Sequence, residues 1–266
     1  MRTFVINLER STMRREFMHK QLTAQDIDFT FTKAVDGATL TDDYLNQVCD
    51  FQALAQRPYL LKKGVYGCLL SHYNVYQEIV EKGLPCALVL EDDVVIEPGL
   101  KVLLDAIEKT IQGNEVVLLF TQNNYMPTIL SSQQVENLTD NYKLHYPMDV
   151  WAFGSAAGYI ISQAAAKSML NYLLPIRYAA DTWGAFYTEQ AIDSIRCVTP
   201  FILKPAGFKS DIDYIDASSM KGKVTKFIND NNIFLLKKLL TYRRNYQLNK
   251  TVTYSFTPEP SPMLTK

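Results

Sequence analysis

Apolar runs and amphipathic stretches alternate along the chain. Runs typical of strands that are buried on both faces occur at 3–8, 86–90 and 115–120. Residues 12–24 and 65–81 instead repeat their apolar positions at helical spacing. Because alternating strands and helices favour right-handed crossovers, we predict an α/β fold with a Rossmann-like, mainly parallel sheet flanked by helices.

Further elements fit the same fold. Residues 28–35 alternate apolar and polar positions, which predicts a second strand. Helices are predicted over 100–112 and 163–174, the latter capped by Ser162, and a last strand over 196–205. The first strand, helix and strand form a nucleotide-binding half of Rossmann type without GxGxxG, so phosphates must be held in another way.

Three carboxylates, Glu91, Asp92 and Asp93, follow the apolar run 86–90 directly. Ligands of open α/β sheets bind at the carboxyl ends of strands. Carboxylates crowded at such an edge repel one another unless a cation joins them, and oxygen ligands suit Mg²⁺ or Mn²⁺. The stretch therefore predicts a metal that grips a diphosphate; the alternative is a turn capped by acidic side chains.

Glycines mark two places where a ligand or another backbone segment can approach closely. Gly67 lies near the start of the helix 65–81, and His72 follows it by little more than one turn. Gly158 opens an apolar strand, where the neighbour is either a flat ligand such as a sugar ring or a tightly packed strand. For His72 the alternative to a ligand-binding role is a hydrogen-bonded structural residue.

An acid beside a tryptophan, Asp181 with Trp183, is the pairing with which proteins hold sugars, because aromatic faces stack on the ring and carboxylates bind hydroxyls. Asp181 can equally be the N-cap of a short helix. The polar and aromatic segment 121–150 is long enough to form one wall of a substrate cleft.

Composition narrows the classes of function. The 266 residues carry a net charge of −1, which gives no case for nucleic acid. No signal peptide and no transmembrane run is recognisable. The four cysteines are scattered, with no CxxC, as in a reducing compartment. These features predict a cytoplasmic protein.

The C-terminal region changes character after a catalytic domain that we predict over residues 1–210. Between 221 and 250, eight basic residues stand against a single acid, Asp230, with apolar residues interleaved. This pattern predicts a basic amphipathic helical extension over 211–250 that binds an anionic membrane surface, or else packs on the domain. Residues 251–266 are predicted to be a flexible tail.

Four motifs occur in an order that resembles glycosyltransferase family 25, the bacterial lipooligosaccharide galactosyltransferases, over about residues 1–205. They are Val5-Ile6-Asn7-Leu8 with Arg10 and Arg14, Gly67-Cys68-Leu69-Leu70-Ser71-His72, Leu90-Glu91-Asp92-Asp93, and Gly158-Tyr159-Ile160-Ile161-Ser162. The resemblance implies a GT-A-like fold, UDP-galactose as donor, Mn²⁺ (or Mg²⁺) as cofactor, and transfer with inversion to a β-linkage. It also implies a lipid-linked saccharide acceptor of lipooligosaccharide or lipopolysaccharide.

The resemblance also assigns roles to single residues. Glu91-Asp92-Asp93 takes the place of the DxD motif: Asp93 binds the metal, and Glu91 or Asp92 contacts the ribose or a metal-bound water. The glutamate departs from the pattern and leaves the role of the first position open. Asn7 and Leu8 are expected in the uridine pocket.

Arginines and further carboxylates complete the expected site. Arg14 belongs to the uridine pocket by resemblance. Arg10, Arg14 and Arg15 cluster just past the first strand, so at least one of them can reach a nucleotide phosphate or stack on a base. Inversion requires a base on the face of the sugar opposite the leaving group. Asp181 is our candidate for this base and Asp149 the reserve.

Two alternative functions remain beside that of a transferase. A phosphohydrolase of haloacid dehalogenase type is disfavoured, because its DxDx[TV] motif belongs near the N-terminus and the first strand here ends in Asn7. A non-catalytic nucleotide-sugar-binding module would keep Asn7 but tolerate loss of the metal. For the transferase we expect a peripheral location on the inner face of the bacterial inner membrane. Oligomeric state is left open.

Overall fold

The computed structural model describes residues 1–123, 128–208 and 255–257, together with Leu236, Lys238, Leu239 and Tyr242. Its strands are β1 Arg2–Asn7, β2 Phe29–Lys33, β3 Cys86–Glu91, β4 Val94–Ile96, β5 Glu115–Leu118, β6 Ile129–Asn137, β7 Lys143–Pro147, β8 Gly158–Ser162, β9 Ser194–Thr199, β10 Leu203–Pro205 and β11 Ser255–Thr257. Its α-helices are α1 Thr12–Ala24, α2 Asp42–Val48, α3 Phe51–Ala55, α4 Lys63–Glu81, α5 Leu100–Thr110, α6 Gln163–Tyr172 and α7 Trp183–Thr188.

One sheet organises the described residues, with strand order β11-β6-β7-β9-β5-β8-β3-β1-β2. Strands β7 and β8 run against the other seven. The α/β fold and the mainly parallel, Rossmann-like sheet predicted from the sequence are therefore confirmed. The antiparallel β8, between β3 and β5, was not foreseen.

Alternation along the strands gives the sheet two apolar faces, and each is covered by helices. Phe4 and Val89 point to one face, where they pack with side chains of α4 and α6. Val5, Leu88 and Leu90 point to the other, where they pack with α1 and α5. Burial on both faces is the reason that these strands read as continuous apolar runs.

Element boundaries follow the predictions closely where local signals are strong. Helix α1 matches its predicted bounds, and the Ser162 side chain caps α6 by accepting a hydrogen bond from the Ala165 N–H. The predicted strand 196–205 is instead two strands, since the chain leaves β9 at Pro200 and β10 pairs with β4 in a separate two-stranded sheet. A proline cannot donate to a strand ladder, which accounts for the break.

The predicted C-terminal extension over 211–250 lies outside the described residues, apart from four helical, exposed positions between 236 and 242. Within the range 251–266, for which a flexible tail is predicted, the structure describes residues 255–257, which form β11 and pair in parallel with β6 at the edge of the sheet. Three residues thus join the sheet of the predicted catalytic domain.

Candidate functional site

The carboxyl ends of β1 and β3 lie side by side, because the two strands are parallel neighbours with Ile6 opposite Glu91. Asn7 therefore ends β1 beside the acidic turn. Its Nδ2 donates to Asp92 Oδ2 over 2.6 Å and, over 3.3 Å, to the carbonyl of Ser11. This buried amide ties the two strand ends together.

Arg14, on the first turns of α1, reaches the same turn. Its guanidinium donates to Asp92 Oδ1 over 3.0 Å and lies 3.8 Å from Asp93 Oδ2. Both oxygens of Asp92 are thus occupied, one by Asn7 and one by Arg14. Burial raises the pKa of Asp92, and these two partners oppose the rise. Asp92 therefore anchors the turn and holds Arg14, rather than pointing a free carboxylate at a ligand.

Glu91 and Asp93 flank this anchor and repel each other. Burial and then the charge of Glu91 raise the pKa of Asp93 to about 7, against the opposing charge of Arg14. Both side chains are partly exposed, so a solute can reach them. Two crowded, accessible carboxylates fit a divalent cation of the Mn²⁺ or Mg²⁺ type, which would relieve the repulsion.

Helix α4 brings two further ligand-type side chains to Glu91. Cys68 and His72 are four residues apart and face the same way, with Cys68 Sγ 3.7 Å and His72 Nε2 3.4 Å from Glu91 Oε1. On the other side of the ring, His72 Nδ1 is 2.7 Å from the hydroxyl of Tyr159, which is 2.6 Å from that of Tyr76. His72 thus has the hydrogen bonds of a structural residue and also faces the site.

Cys68 is a site residue that the sequence motifs did not indicate as a ligand. Burial raises the pKa of its thiol well above the ordinary value, and the charges of Glu91, Asp181 and Asp93 add to the rise. The i, i+4 pairing of Cys68 with His72 on a predicted helix was the signal available.

Asp181 belongs to the same cluster. Its carboxylate accepts a hydrogen bond from the Ser155 N–H over 3.1 Å. Burial and, to a smaller extent, the charge of Glu91 raise the pKa of Asp181, whereas the hydrogen bond from the Ser155 N–H opposes the rise. The predicted pairing with Trp183 as a sugar platform is wrong, because Trp183 is fully buried and packs edge-on against Tyr159. The helix cap reading fails as well, since Thr182 holds the N-cap position of α7.

An exposed indole lies elsewhere, on Trp151. The Trp151 side chain is half exposed and lies across Gly184, where a β-carbon would stand 2.6 Å from the ring. Asp149 caps the short turn that carries this indole by accepting from the Trp151 N–H. The structure thus gives Asp149 a local structural bond and gives no contact between it and the Glu91 cluster.

At both glycines predicted to contact a ligand, Gly67 and Gly158, the space next to the α-carbon is occupied by other atoms of the protein. A β-carbon on Gly67 would stand 2.6 Å from the carbonyl oxygen of Val35. One on Gly158 would stand 2.1 Å from a methyl of Leu203 and 3.0 Å from one of Leu90. The predicted ligand-binding role of these two glycines is therefore replaced by backbone and side-chain packing.

Leu8 and Arg10 lie just beyond the end of β1. The Leu8 carbonyl accepts from the Ser11 N–H, and Arg10 forms an ion pair with Asp36. Arg10 is about half exposed, so its guanidinium borders solvent next to the cluster's first strand. Their predicted contacts with a nucleotide stay predictions.

Two surface cavities of the described residues, of about 570 and 610 Å³, are lined between α1 and β2 and between β7 and β9. Neither of these two is lined by Glu91, Asp93 or Asp181. The candidate site is therefore defined by the side chains that converge on the acidic turn.

Comparison with known sequences identifies the family. The model of glycosyltransferase family 25, described as an LPS biosynthesis protein, matches residues 1–183. The chain belongs to glycosyltransferase family 25. The resemblance inferred from the four motifs is thereby confirmed.

Relatives within family 25 include proteins named as galactosyltransferases and proteins named as inactive. A putative glycosyltransferase of Acanthamoeba polyphaga mimivirus is 32% identical over 174 residues, covering 64% of this chain and 52% of that protein. Procollagen galactosyltransferase 1 of Danio rerio is 28% identical, covering 80% and 37%. An inactive family 25 member of Mus musculus is 36% identical, covering 80% and 38%. The chain therefore spans about half or less of the length of these relatives.

A solved glycosyltransferase involved in glycosylation of the major capsid of PBCV-1 aligns with 74% of this chain and 79% of its own, at 11% identity and a TM-score of 0.34.

Among the helices of the described residues, none combines the length and the apolar character needed to cross a bilayer.

Proposed function

We propose that this family 25 protein transfers a hexose, galactose from UDP-galactose, to a saccharide acceptor. The observation that carries the proposal is the convergence of Asn7, Arg14, Glu91, Asp93 and Asp181 at the carboxyl ends of β1 and β3. Nucleotide ligands bind at this edge of open α/β sheets. The galactose is proposed from the name of the Danio rerio relative.

The donor nucleotide is proposed to lie over the end of β1. Asn7 and Leu8 would border the uridine, and the guanidinium of Arg14 would face the diphosphate. Arg10, half exposed beside this edge, adds a second positive charge within reach of the donor. Because Asp92 fixes Arg14 through a hydrogen bond of 3.0 Å, the positive charge is held in place before the donor arrives.

Glu91 and Asp93 are the residues that would hold Mn²⁺ or Mg²⁺. Their mutual repulsion, visible in the raised pKa of Asp93, is the condition that a bound cation relieves. When bound, the cation supplies positive charge against the negative charge that grows on the departing UDP.

Asp181 is proposed as the base that takes the proton of the acceptor hydroxyl, which goes with inversion to a β-linkage. Burial and the charge of Glu91 raise its pKa above the ordinary value, which makes the carboxylate a stronger base. The hydrogen bond from the Ser155 N–H fixes one of its oxygens. Asp149 is the reserve candidate, and Trp151 beside it offers an exposed indole for an acceptor sugar.

The acceptor is proposed to be a lipid-linked saccharide of lipooligosaccharide or lipopolysaccharide. The family's description as an LPS biosynthesis protein supports this. The basic residues between 221 and 250 would attach the protein to an anionic leaflet, with about 1 kcal/mol for each basic side chain near the surface. We propose a peripheral location on the inner face of the bacterial inner membrane.

A second candidate function is non-catalytic binding of a nucleotide sugar. The similarity to the inactive Mus musculus member favours it, since 80% of this chain aligns with that protein. The two candidates differ in turnover and in their need for a cation.

The deciding experiment measures UDP release from a panel of UDP-sugars, with Mn²⁺ and with EDTA, in the presence of glucosyl and N-acetylglucosaminyl acceptors. Release that needs Mn²⁺, favours UDP-galactose and rises with acceptor supports the proposal. UDP binding without release from any donor selects the binding module. Release that is indifferent to EDTA keeps the transferase but removes the assigned role of Glu91 and Asp93.

A further inference from the structure

Three metal-ligating side chains of different chemistry face one another beside the acidic turn. Cys68 Sγ, His72 Nε2 and Glu91 Oε1 all lie within 4.8 Å of one another. The sulfur is 3.7 Å and the nitrogen 3.4 Å from the same carboxylate oxygen. Two of the three come from successive turns of α4 and the third from the end of β3, so rigid elements fix all three.

The two separations from Glu91 Oε1 are close to those of a tetrahedral metal centre. With metal bonds of about 2.3 Å to sulfur and about 2.0 Å to nitrogen and oxygen, ligand atoms stand about 3.3 to 3.5 Å apart. The two distances to Glu91 exceed these values by only a few tenths of an ångström. Three protein ligands leave a fourth position for water or another ligand, and Cys68 and Glu91 are partly exposed, which gives a path for entry.

The surroundings of His72 are those of a metal-bound imidazole. Such a ring binds metal through one nitrogen and hydrogen-bonds through the other to an outer partner, which fixes its orientation. Here Nδ1 is 2.7 Å from the Tyr159 hydroxyl, itself 2.6 Å from the Tyr76 hydroxyl, while Nε2 faces the other two ligands. His72, Tyr159 and Tyr76 are buried, so this support is rigid.

We infer that Cys68, His72 and Glu91 form a binding site for a thiophilic divalent cation of the Zn²⁺ class. A thiolate and an imidazole prefer Zn²⁺, whereas Mn²⁺ and Mg²⁺ prefer the oxygen ligands of the neighbouring carboxylates. The negative charges of Glu91, Asp93 and Asp181 act on this position and attract a cation.

Glu91 is shared with the carboxylate pair proposed to hold Mn²⁺. One consequence rests on that proposed function: Zn²⁺ at the Cys68 site withdraws Glu91 from the pair and antagonises Mn²⁺-dependent transfer. The binding site itself does not depend on that function, because all three ligands and the outer support of His72 exist without a nucleotide.

The experiment titrates the metal-free full chain with Co²⁺, a spectroscopic substitute for Zn²⁺. A near-ultraviolet band from thiolate to cobalt, with visible bands of tetrahedral cobalt, is expected, and Zn²⁺ should abolish both. Cys68→Ser should lose the thiolate band, whereas the matched control Cys49→Ser should keep it. Wild-type protein without the band, or a band that survives in Cys68→Ser, overturns the inference.

Tyr159→Phe tests the outer support. It should keep the thiolate band but weaken Zn²⁺ binding by about 10- to 100-fold, as expected when the outer hydrogen bond of a ligating histidine is lost. Unchanged Zn²⁺ affinity in this variant contradicts His72 as a ligand.

Alkylation of the unmodified chain provides a measurement that does not depend on the folding of a variant. Zn²⁺ should slow the alkylation of Cys68, read by peptide mass spectrometry against the buried Cys86 and Cys197 as references. An unchanged rate at Cys68 overturns the site. None of these assays uses a UDP-sugar, so their failure is distinguishable from a failure of the proposed transferase.

Discussion

The side chains of Asn7 and Asp92 share a buried hydrogen bond of 2.6 Å, although they stand 85 positions apart in the chain. The bond joins the ends of two neighbouring strands. The flanking carboxylates, Glu91 and Asp93, do not take part in it. The acidic turn is thus divided into one anchoring carboxylate and two that face solvent.

Replacing Asn7 by Ala should destabilise the fold. The variant leaves the buried Asp92 without its shortest hydrogen bond, and a hydrogen bond to a charged group contributes about 1.5 to 3 kcal/mol. Urea denaturation should show a loss of that size, with weaker UDP binding measured by calorimetry. The exposed Asn141→Ala serves as control and should change stability by less than about 0.5 kcal/mol. Equal midpoints for the two variants would remove Asn7 as an anchor.

Asp181→Asn should lower the rate of transfer by about 10²- to 10⁴-fold, the usual contribution of a general base. UDP binding should persist, because an Asn oxygen can still accept the Ser155 N–H and the neutral amide suits the partly buried position. Asp149→Asn is the matched variant and should keep most of the activity. The reverse result, with transfer lost in Asp149→Asn alone, would move the base to Asp149.

The stability of the metal-free protein should depend on pH through Asp93. Its pKa is about 7 in the folded chain against an ordinary value of 3.8, so the folded state binds the proton more tightly. The destabilisation from ionised Asp93 is absent below the ordinary pKa, grows as pH rises through the interval, and is complete above about pH 7.

The measurement compares urea midpoints in EDTA at about pH 5 and about pH 8, for wild type and Asp93→Asn. The variant should be the more stable of the two at the higher pH, with a smaller difference at the lower pH. The buried His145 has a lowered pKa, which makes the free energy of unfolding rise with pH. This contribution is the same in both proteins, so it cancels in the comparison. Stabilisation by Mn²⁺ should be larger at the higher pH. A pH-independent difference would contradict the assigned environment of Asp93.

Gly67→Ala should destabilise the protein more than Gly158→Ala. At Gly67 the new methyl meets backbone, at 2.6 Å from the Val35 carbonyl, whereas at Gly158 it meets side-chain methyls of Leu203 and Leu90 that can shift. Overpacking costs about 1 to 3 kcal/mol, and a rigid neighbour raises that cost. Thermal unfolding measures the order. Normal stability with lost UDP binding in Gly67→Ala would restore the ligand-binding interpretation of this glycine.

The sequence predicted the elements whose signals are local. Helix α1 and the Ser162 cap matched because apolar periodicity and capping chemistry lie within a few residues. The strand carrying Glu91 was equally recognisable, as a buried apolar run that ends in charge. The antiparallel entry of β8 was not, because strand direction depends on pairings with β3 and β5 far away in the chain.

Site geometry was less predictable for the same reason. That Asp92 would be taken up by Asn7 and Arg14 depends on contacts 85 and 78 positions apart. Trp183 looked like a platform beside Asp181, but its position behind Tyr159 follows from sheet packing and not from its neighbours in sequence. The i, i+4 relation of Cys68 and His72 is local and visible in the sequence. It indicates a metal site only together with Glu91, whose position opposite them is known from the structure.

The reversed direction of β8 has a consequence for how this architecture can vary. Because β8 runs against β3, the residues that enter it, including Ser155, stand at the same edge as the residues that leave β3. This edge of the sheet is therefore formed by the turn that follows β3 and by the segment that precedes β8. An insertion before β8 can change the second segment while the turn at Glu91 keeps its length. The two sides of the site can therefore vary independently of each other.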